Sequence, residues 1–121
     1  MYEHKLPRLL NCGVGRTMEI LGGKWKPCLI HNIRNGVRRP SELARLNPAA
    51  TPRVLTQQLS ELEAHGMVRK LVHSGLPLKV EYFLTEQGEE LLGIIDAMES
   101  WGTAQGDERL ALRPAPAEVA R

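Results

Sequence analysis

The chain has 121 residues, 42% hydrophobic and 25% charged, a mixture that suits one soluble domain with a modest core and excludes a wholly disordered chain. Its two cysteines are too few for a disulfide scaffold, and no apolar run approaches the roughly 18–20 residues of a membrane span or the apolar centre of a secretory signal, so the expectation is a cytoplasmic protein with no membrane partner. The net charge of +2 hides an asymmetry: residues 24–81 hold ten Lys and Arg against four acids, a balance of +6, while residues 82–121 hold three against eight, a balance of −5, so the middle is suited to a polyanion.

In "GVGRTMEIL" the positions Val14, Met18 and Leu21 recur at helical spacing, and Gly22-Gly23 stops that helix. A second helix is expected from near Lys24, with Trp25, Leu29 and Ile33 on one stripe. Pro27 is tolerated there because first-turn amides have no intrahelical acceptor, and Asn35-Gly36 ends the helix. "RPSELARLNP" predicts a short third helix with Ser41 as its N-cap and with Leu43 and Leu46 facing inward. Thr51-Pro52 supplies a cap and a first-position proline for a fourth helix running to about Ala64, with Gly66 at its C-terminal cap.

"MVRKLVH" and "KVEYFLT" have strand composition, with Val80, Tyr82 and Leu84 alternating, and "SGLPL" joins them into a hairpin. Thr85 is expected to cap a fifth helix through "EQGEELLGIIDAMESW", whose Leu91, Leu92, Ile94, Ile95, Met98 and Trp101 cover an arc wider than packing on one small domain needs. The end, "RPAPAEVAR", is rich in proline and alanine and reads as a frayed tail.

On a wheel of about 100° per residue, Leu55, Leu59 and Leu62 of the fourth helix cluster on one side. Opposite lie Arg53, Gln57, Ser60 and Ala64, flanked by Thr56 and Glu61. Arg bonds a guanine edge bidentately, Gln an adenine edge, and the Thr methyl meets that of thymine, so Arg53, Thr56, Gln57 and Ser60 are the candidate base-reading residues. A short helix, a tight turn, a second helix with such a face and a basic hairpin form a helix-turn-helix with a wing. Lys24, Lys26, Arg38, Arg39 and Ser41 are candidates for the DNA backbone, and Arg69, Lys70, His73 and Lys79 for the wing.

The pieces "GGKW", "LTQQL" with "ELE" after it, and "VEYFLT", in that order between Cys12 and about Gly102, resemble the HxlR-type family of bacterial winged helix-turn-helix transcriptional regulators, relatives of the MarR type. The resemblance implies a mainly α fold with a small β-hairpin wing, dimeric through its N- and C-terminal helices. It implies a homodimer on a near-palindromic double-stranded DNA operator, more often a repressor, with a small-molecule or oxidant effector and no cofactor. Leu91, Leu92, Ile95, Met98 and Trp101 are then the expected dimer contacts. The layout is an N-terminal arm over 1–11, the DNA-binding domain with dimerisation helices over 12–102, and a partly disordered tail over 103–121. Two prolines depart from the family pattern: Pro40 stands where an aromatic residue often precedes Ser-Glu-Leu, and Pro27 where an aliphatic residue is common.

Cys12 precedes the first helix, where the helix N-terminus and Arg16 favour a reactive thiol; it is a candidate redox sensor, equally readable as a small buried residue at the dimer interface. Cys28 and His31 supply two local ligands where structural zinc wants about four, so Cys28 is expected in the core and His31 at its edge, with no metal. No nucleophile with a base and no phosphate-cradling loop is composed, so an enzyme is not expected. The alternative reading is a winged-helix protein-interaction module without DNA binding.

Overall fold

The first five helices each begin where the sequence supplies a cap or an N-terminal proline. The computed structural model describes residues 12–111 and 117–120, and the expected arm over 1–11 lies outside them. Helix α1 (Gly13–Leu21) is capped by Cys12, whose Sγ accepts the Gly15 N–H at 3.2 Å. It stops at Gly22, where a Cβ would stand 2.3 Å from the Met18 carbonyl oxygen. Helix α2 (Lys26–Arg34) carries Pro27 in its first turn, where no intrahelical bond is lost.

Helix α3 (Pro40–Leu46) differs from expectation at both ends. Pro40 takes its first position and Arg39 is the extended cap residue, so Ser41 lies inside the first turn and is not the N-cap. The fixed φ of proline already suits that first position. Leu43 is buried, but Leu46 is exposed, because the buried place beyond the helix goes to Asn47. Asn47 Nδ2 donates to the Leu43 carbonyl oxygen at 2.8 Å and to Asn32 Oδ1 at 2.9 Å, tying the turn of the helix-turn-helix to α2.

Helix α4 (Pro52–Ala64) starts as its sequence predicts: Thr51 Oγ1 accepts the Val54 N–H at 3.2 Å. Leu55, Leu59 and Leu62 are buried, each contributing roughly 1.5–3 kcal/mol of burial. Gly66, at φ 77°, then turns the chain into the hairpin. Strands β1 (Val68–His73) and β2 (Lys79–Leu84) pair antiparallel from Val68↔Leu84 to His73↔Lys79. The Tyr82 N–H also bonds the Arg38 carbonyl oxygen at 2.9 Å, so the segment entering α3 lies along the free edge of β2.

The last helical region is broken, where one continuous helix is expected. Thr85 Oγ1 accepts the Gly88 N–H at 3.0 Å and caps α5 (Glu86–Glu90). Leu91 N–H then closes onto the Gly88 carbonyl oxygen at 3.1 Å, a tight i→i+3 turn, before α6 (Leu92–Ala104) begins. Gly88 sits against the Met67 backbone and Thr85 donates to the Gly66 carbonyl oxygen at 2.5 Å, so α5 is fixed to the end of α4. Helix α6 is fixed to α2 instead, by Arg34 on Asp96 and by His31 Nε2 at 3.8 Å from Glu99 Oε2. It runs to Ala104, past the expected boundary at Gly102, and a short α7 (Asp107–Leu110) follows. The core gathers Leu29, Ile30 and Ile33 of α2, Leu43, the three leucines of α4, Val68 and Tyr82 of the hairpin, and Ile95 of α6.

Candidate nucleic-acid interface

The split of α4 into two faces follows its sequence. Arg53, Thr56, Gln57 and Ser60 are all exposed, on the side away from the buried leucines. Their neighbour Gln58 has a different task, which periodicity does not reveal. Its Oε1 accepts the Trp25 N–H at 2.9 Å, so it caps the start of α2 from within the protein.

The backbone candidates divide. Lys24 is exposed, its Nζ 5.3 Å from the centre of the Trp25 ring. Lys26 is only 4% exposed and its Nζ lies 2.8 Å from Glu61 Oε1, so the expected phosphate contact is corrected: its charge is spent on an internal carboxylate. Arg38 is half-buried, its guanidinium 4.3 Å from the centre of the Phe83 ring and its Nη1 donating to the Tyr82 carbonyl oxygen at 3.3 Å. Arg69 stacks on the same ring at 4.6 Å. Phe83 thus holds two guanidinium groups, a cation–π arrangement that fixes both near the base of the wing.

Arg39 and Ser41 are exposed and meet Lys79 across a groove of about 500 Å³ between the start of α3 and the hairpin tip, walled by Pro40, Pro77, Leu78 and Val80. Two candidates for the backbone and one for the wing are therefore brought together. Lys70 is exposed, whereas His73 and Lys79 share an acid on β2: Glu81 Oε1 is 2.8 Å from His73 Nε2 and 3.9 Å from Lys79 Nζ. The hydrogen bond from His73 holds the Glu81 carboxyl below its ordinary value against the opposing effect of burial, helped by the charges of Lys79, His73 and Arg39. Glu81 tempers the positive charge of the wing, a role that a strand pattern alone does not expose.

Cys12 is exposed at the head of α1. Cys28 is exposed too, which corrects its expected place in the core: on α2 the buried stripe is made by Leu29, Ile30 and Ile33, leaving position 28 outside. His31 is at the edge, as expected.

The expected dimer contacts on α6 need a sharper division. Ile95 is buried in the core of its own chain, and Leu91, just before α6, and Leu92 pack against that core and are only partly open. Met98 and Trp101 remain open, at 48% and 65% exposure, and Ile94, at 43%, joins them. On α1, Val14 and Met18 are exposed as well. Among the described residues no helix is long and apolar enough to cross a membrane.

A family profile described as HxlR-like helix-turn-helix matches residues 20–110. The HTH-type transcriptional regulator YtcD of Bacillus subtilis (strain 168) is 47% identical over 92 residues, covering 76% of this chain and 73% of that protein. The redox regulator HypR in its oxidized form is similar at a TM-score of 0.76 and 44% identity, covering 79% of this chain and 99% of that one. Its reduced form gives a TM-score of 0.75 and 41% identity, with 82% and 98% covered. Profile, sequence and fold agree across the helix-turn-helix and wing, and the chain belongs to the HxlR-like helix-turn-helix family of DNA-binding transcriptional regulators, which are not enzymes.

Proposed function

We propose that the chain is a repressor that binds a near-palindromic double-stranded operator as a homodimer. The observation that carries this reading is the exposure of Arg53, Thr56, Gln57 and Ser60 together on the face of α4 opposite its buried leucines. Arg53 and Gln57 read guanine and adenine edges, Thr56 meets a thymine methyl, and the small Ser60 lets the helix approach the groove floor. Lys24, Arg38, Arg39 and Ser41 take backbone phosphates, and Arg69, Lys70, His73 and Lys79 form the wing, so that the phosphate contacts set the register in which α4 reads. The exposed apolar residues of α1 and α6 pair two protomers about a twofold axis, presenting two α4 helices to half-sites about one helical turn apart or a multiple of it.

Cys12 is the regulatory residue in this reading, with an oxidant or a small electrophile as the effector. It is exposed at the head of a helix that carries part of the apolar dimer face, and the similar protein HypR is a redox regulator. Oxidation or alkylation of its thiol shifts the dimer and changes operator affinity. If Cys12→Ser represses and releases DNA under oxidant just as the parent does, that role is excluded.

The deciding experiment is selection of bound duplexes from a random pool, across salt concentrations and with Cys12 reduced or oxidised. The expected product is an inverted repeat whose binding weakens steeply with salt. Failure to enrich any sequence at low salt removes the operator reading.

A further inference from the structure

The hairpin ends in Ser74-Gly75-Leu76-Pro77-Leu78, an apolar tip on a cationic stem. Leu76 is fully exposed, and Leu78 and Val72 are exposed beside it. Among the described residues nothing covers Leu76. The positive groups run down the stem: Lys79 on β2 stands next to the tip, facing Arg39 and Ser41 across the groove, and Arg69 and Lys70 on β1 stand nearer the base.

We propose that Leu76 is an apolar wedge that enters the minor groove next to each half-site and bends the operator. The proposal rests on the operator reading above and adds a site of contact to it. The groove between α3 and the tip, with Arg39, Ser41 and Lys79 on its walls, has the donors and the size to seat one phosphodiester strand. A strand seated there leaves α4 in the major groove on one side and puts the hairpin tip over the adjacent minor groove on the other. Arg39 and Lys79 beside the tip, with Arg69 and Lys70 further down the stem, favour a polyanion as the partner of the tip.

Apolar side chains that enter the minor groove partly unstack a base step and kink the duplex toward the major groove, and the cost of unstacking is offset by the extra surface the bent duplex contacts. Steps such as TA and CA/TG unstack most easily. Leu76 therefore contributes sequence preference at a step that no hydrogen bond reads, through deformability alone.

The test uses the full chain and the duplex recovered by selection, with bend measured by circular-permutation gel migration and by energy transfer between labelled duplex ends, and affinity by fluorescence anisotropy. The parent is expected to bend the duplex by on the order of 20–90°. Leu76→Ser is expected to bind roughly tenfold more weakly, to leave the duplex nearly straight, and to lose the preference for a flexible step beneath the wing, while Leu76→Met keeps the bend. Full exposure of Leu76 means that Leu76→Ser melts like the parent, which separates the wedge from a folding defect. A straight parental complex, or a Leu76→Ser complex with the parental bend, overturns the wedge and leaves the operator reading intact. A parent that binds no duplex removes both.

Discussion

Lys26 Nζ lies 2.8 Å from Glu61 Oε1, joining the start of α2 to α4 through side chains that are 5% and 22% exposed. With the Gln58 bond to the Trp25 N–H one turn away, this pair sets how α4 is held on the core. Removing the cation alone leaves a carboxylate with little solvent, so Lys26→Ala is expected to cost about 2–4 kcal/mol, somewhat below the loss for a fully buried pair because Glu61 retains partial exposure. Lys26→Met with Glu61→Leu removes both charges at similar volume and is expected to recover most of that loss. Urea unfolding midpoints of the single and double variants check the expectation, and equal losses in both would assign the effect to packing.

The adjacent glutamines of α4 separate reading from positioning. Gln57→Ala is expected to cost about 1–3 kcal/mol of binding and to relax base preference at one position, as Arg53→Ala should at another. Lys79→Ala, by contrast, should weaken all duplexes alike and reduce the salt slope by about 1. Gln58→Ala is expected to lower fold stability by about 1 kcal/mol, by orphaning the Trp25 N–H, with the selected sequence unchanged. Repeating the duplex selection with each variant distinguishes them, and a shifted sequence for Gln58→Ala alone would reverse the assignment.

What the sequence makes legible here is local chemistry. Thr51-Pro52, Gly66 and Thr85 mark helix ends because caps act within a turn, and the face of α4 emerges from its own leucine spacing. The misreadings, and the residues whose roles the sequence left unread, share a different cause. Lys24 and Lys26 look alike until Glu61 arrives from another helix, and Gln58 turns inward only because the Trp25 amide needs an acceptor. Ile94 and Ile95 lie in an arc too wide for periodicity to divide between core and surface, and that division is made by the packing of α6 on α2. Glu81 looks like one more strand residue until the hairpin register brings His73 and Lys79 to it.

Two helical glycines should respond with opposite signs to the same substitution. Gly→Ala inside a helix ordinarily gains about 1 kcal/mol. A Cβ on Gly93 meets nothing within 4 Å, so Gly93→Ala is expected to show that gain. A Cβ on Gly88 would stand 2.0 Å from the Met67 carbonyl oxygen, which is backbone and cannot turn aside, so Gly88→Ala is expected to lose about 1–3 kcal/mol. Denaturant midpoints of the two variants give both signs in one experiment.

Tyr82 gives the fold an alkaline limit. Burial raises its phenol above the ordinary value of 10.0, and the Glu63 carboxylate adds to the shift. The unfolded chain therefore loses this proton first, and stability that is complete below 10.0 declines as pH rises toward the folded value. Tyr82→Phe should remove that part of the decline. The chain has two tyrosines, so in a Tyr2→Phe background phenolate absorbance reports Tyr82 alone, and ionisation at the ordinary value would refute the shift.

The division of α6 predicts that fold and assembly can be damaged separately. Ile95 is buried, so Ile95→Ala opens a cavity and is expected to cost about 2–5 kcal/mol of fold stability. Met98→Ser and Trp101→Ser change side chains that the protomer leaves largely open, and under the proposed dimer they should weaken association while leaving the protomer folded. Sedimentation over a range of protein concentrations, with circular dichroism on the same samples, reads both effects. A Met98→Ser, Trp101→Ser double variant that stays as dimeric as the parent would exclude this face of α6 from the interface, and association would then have to run through α1 without it.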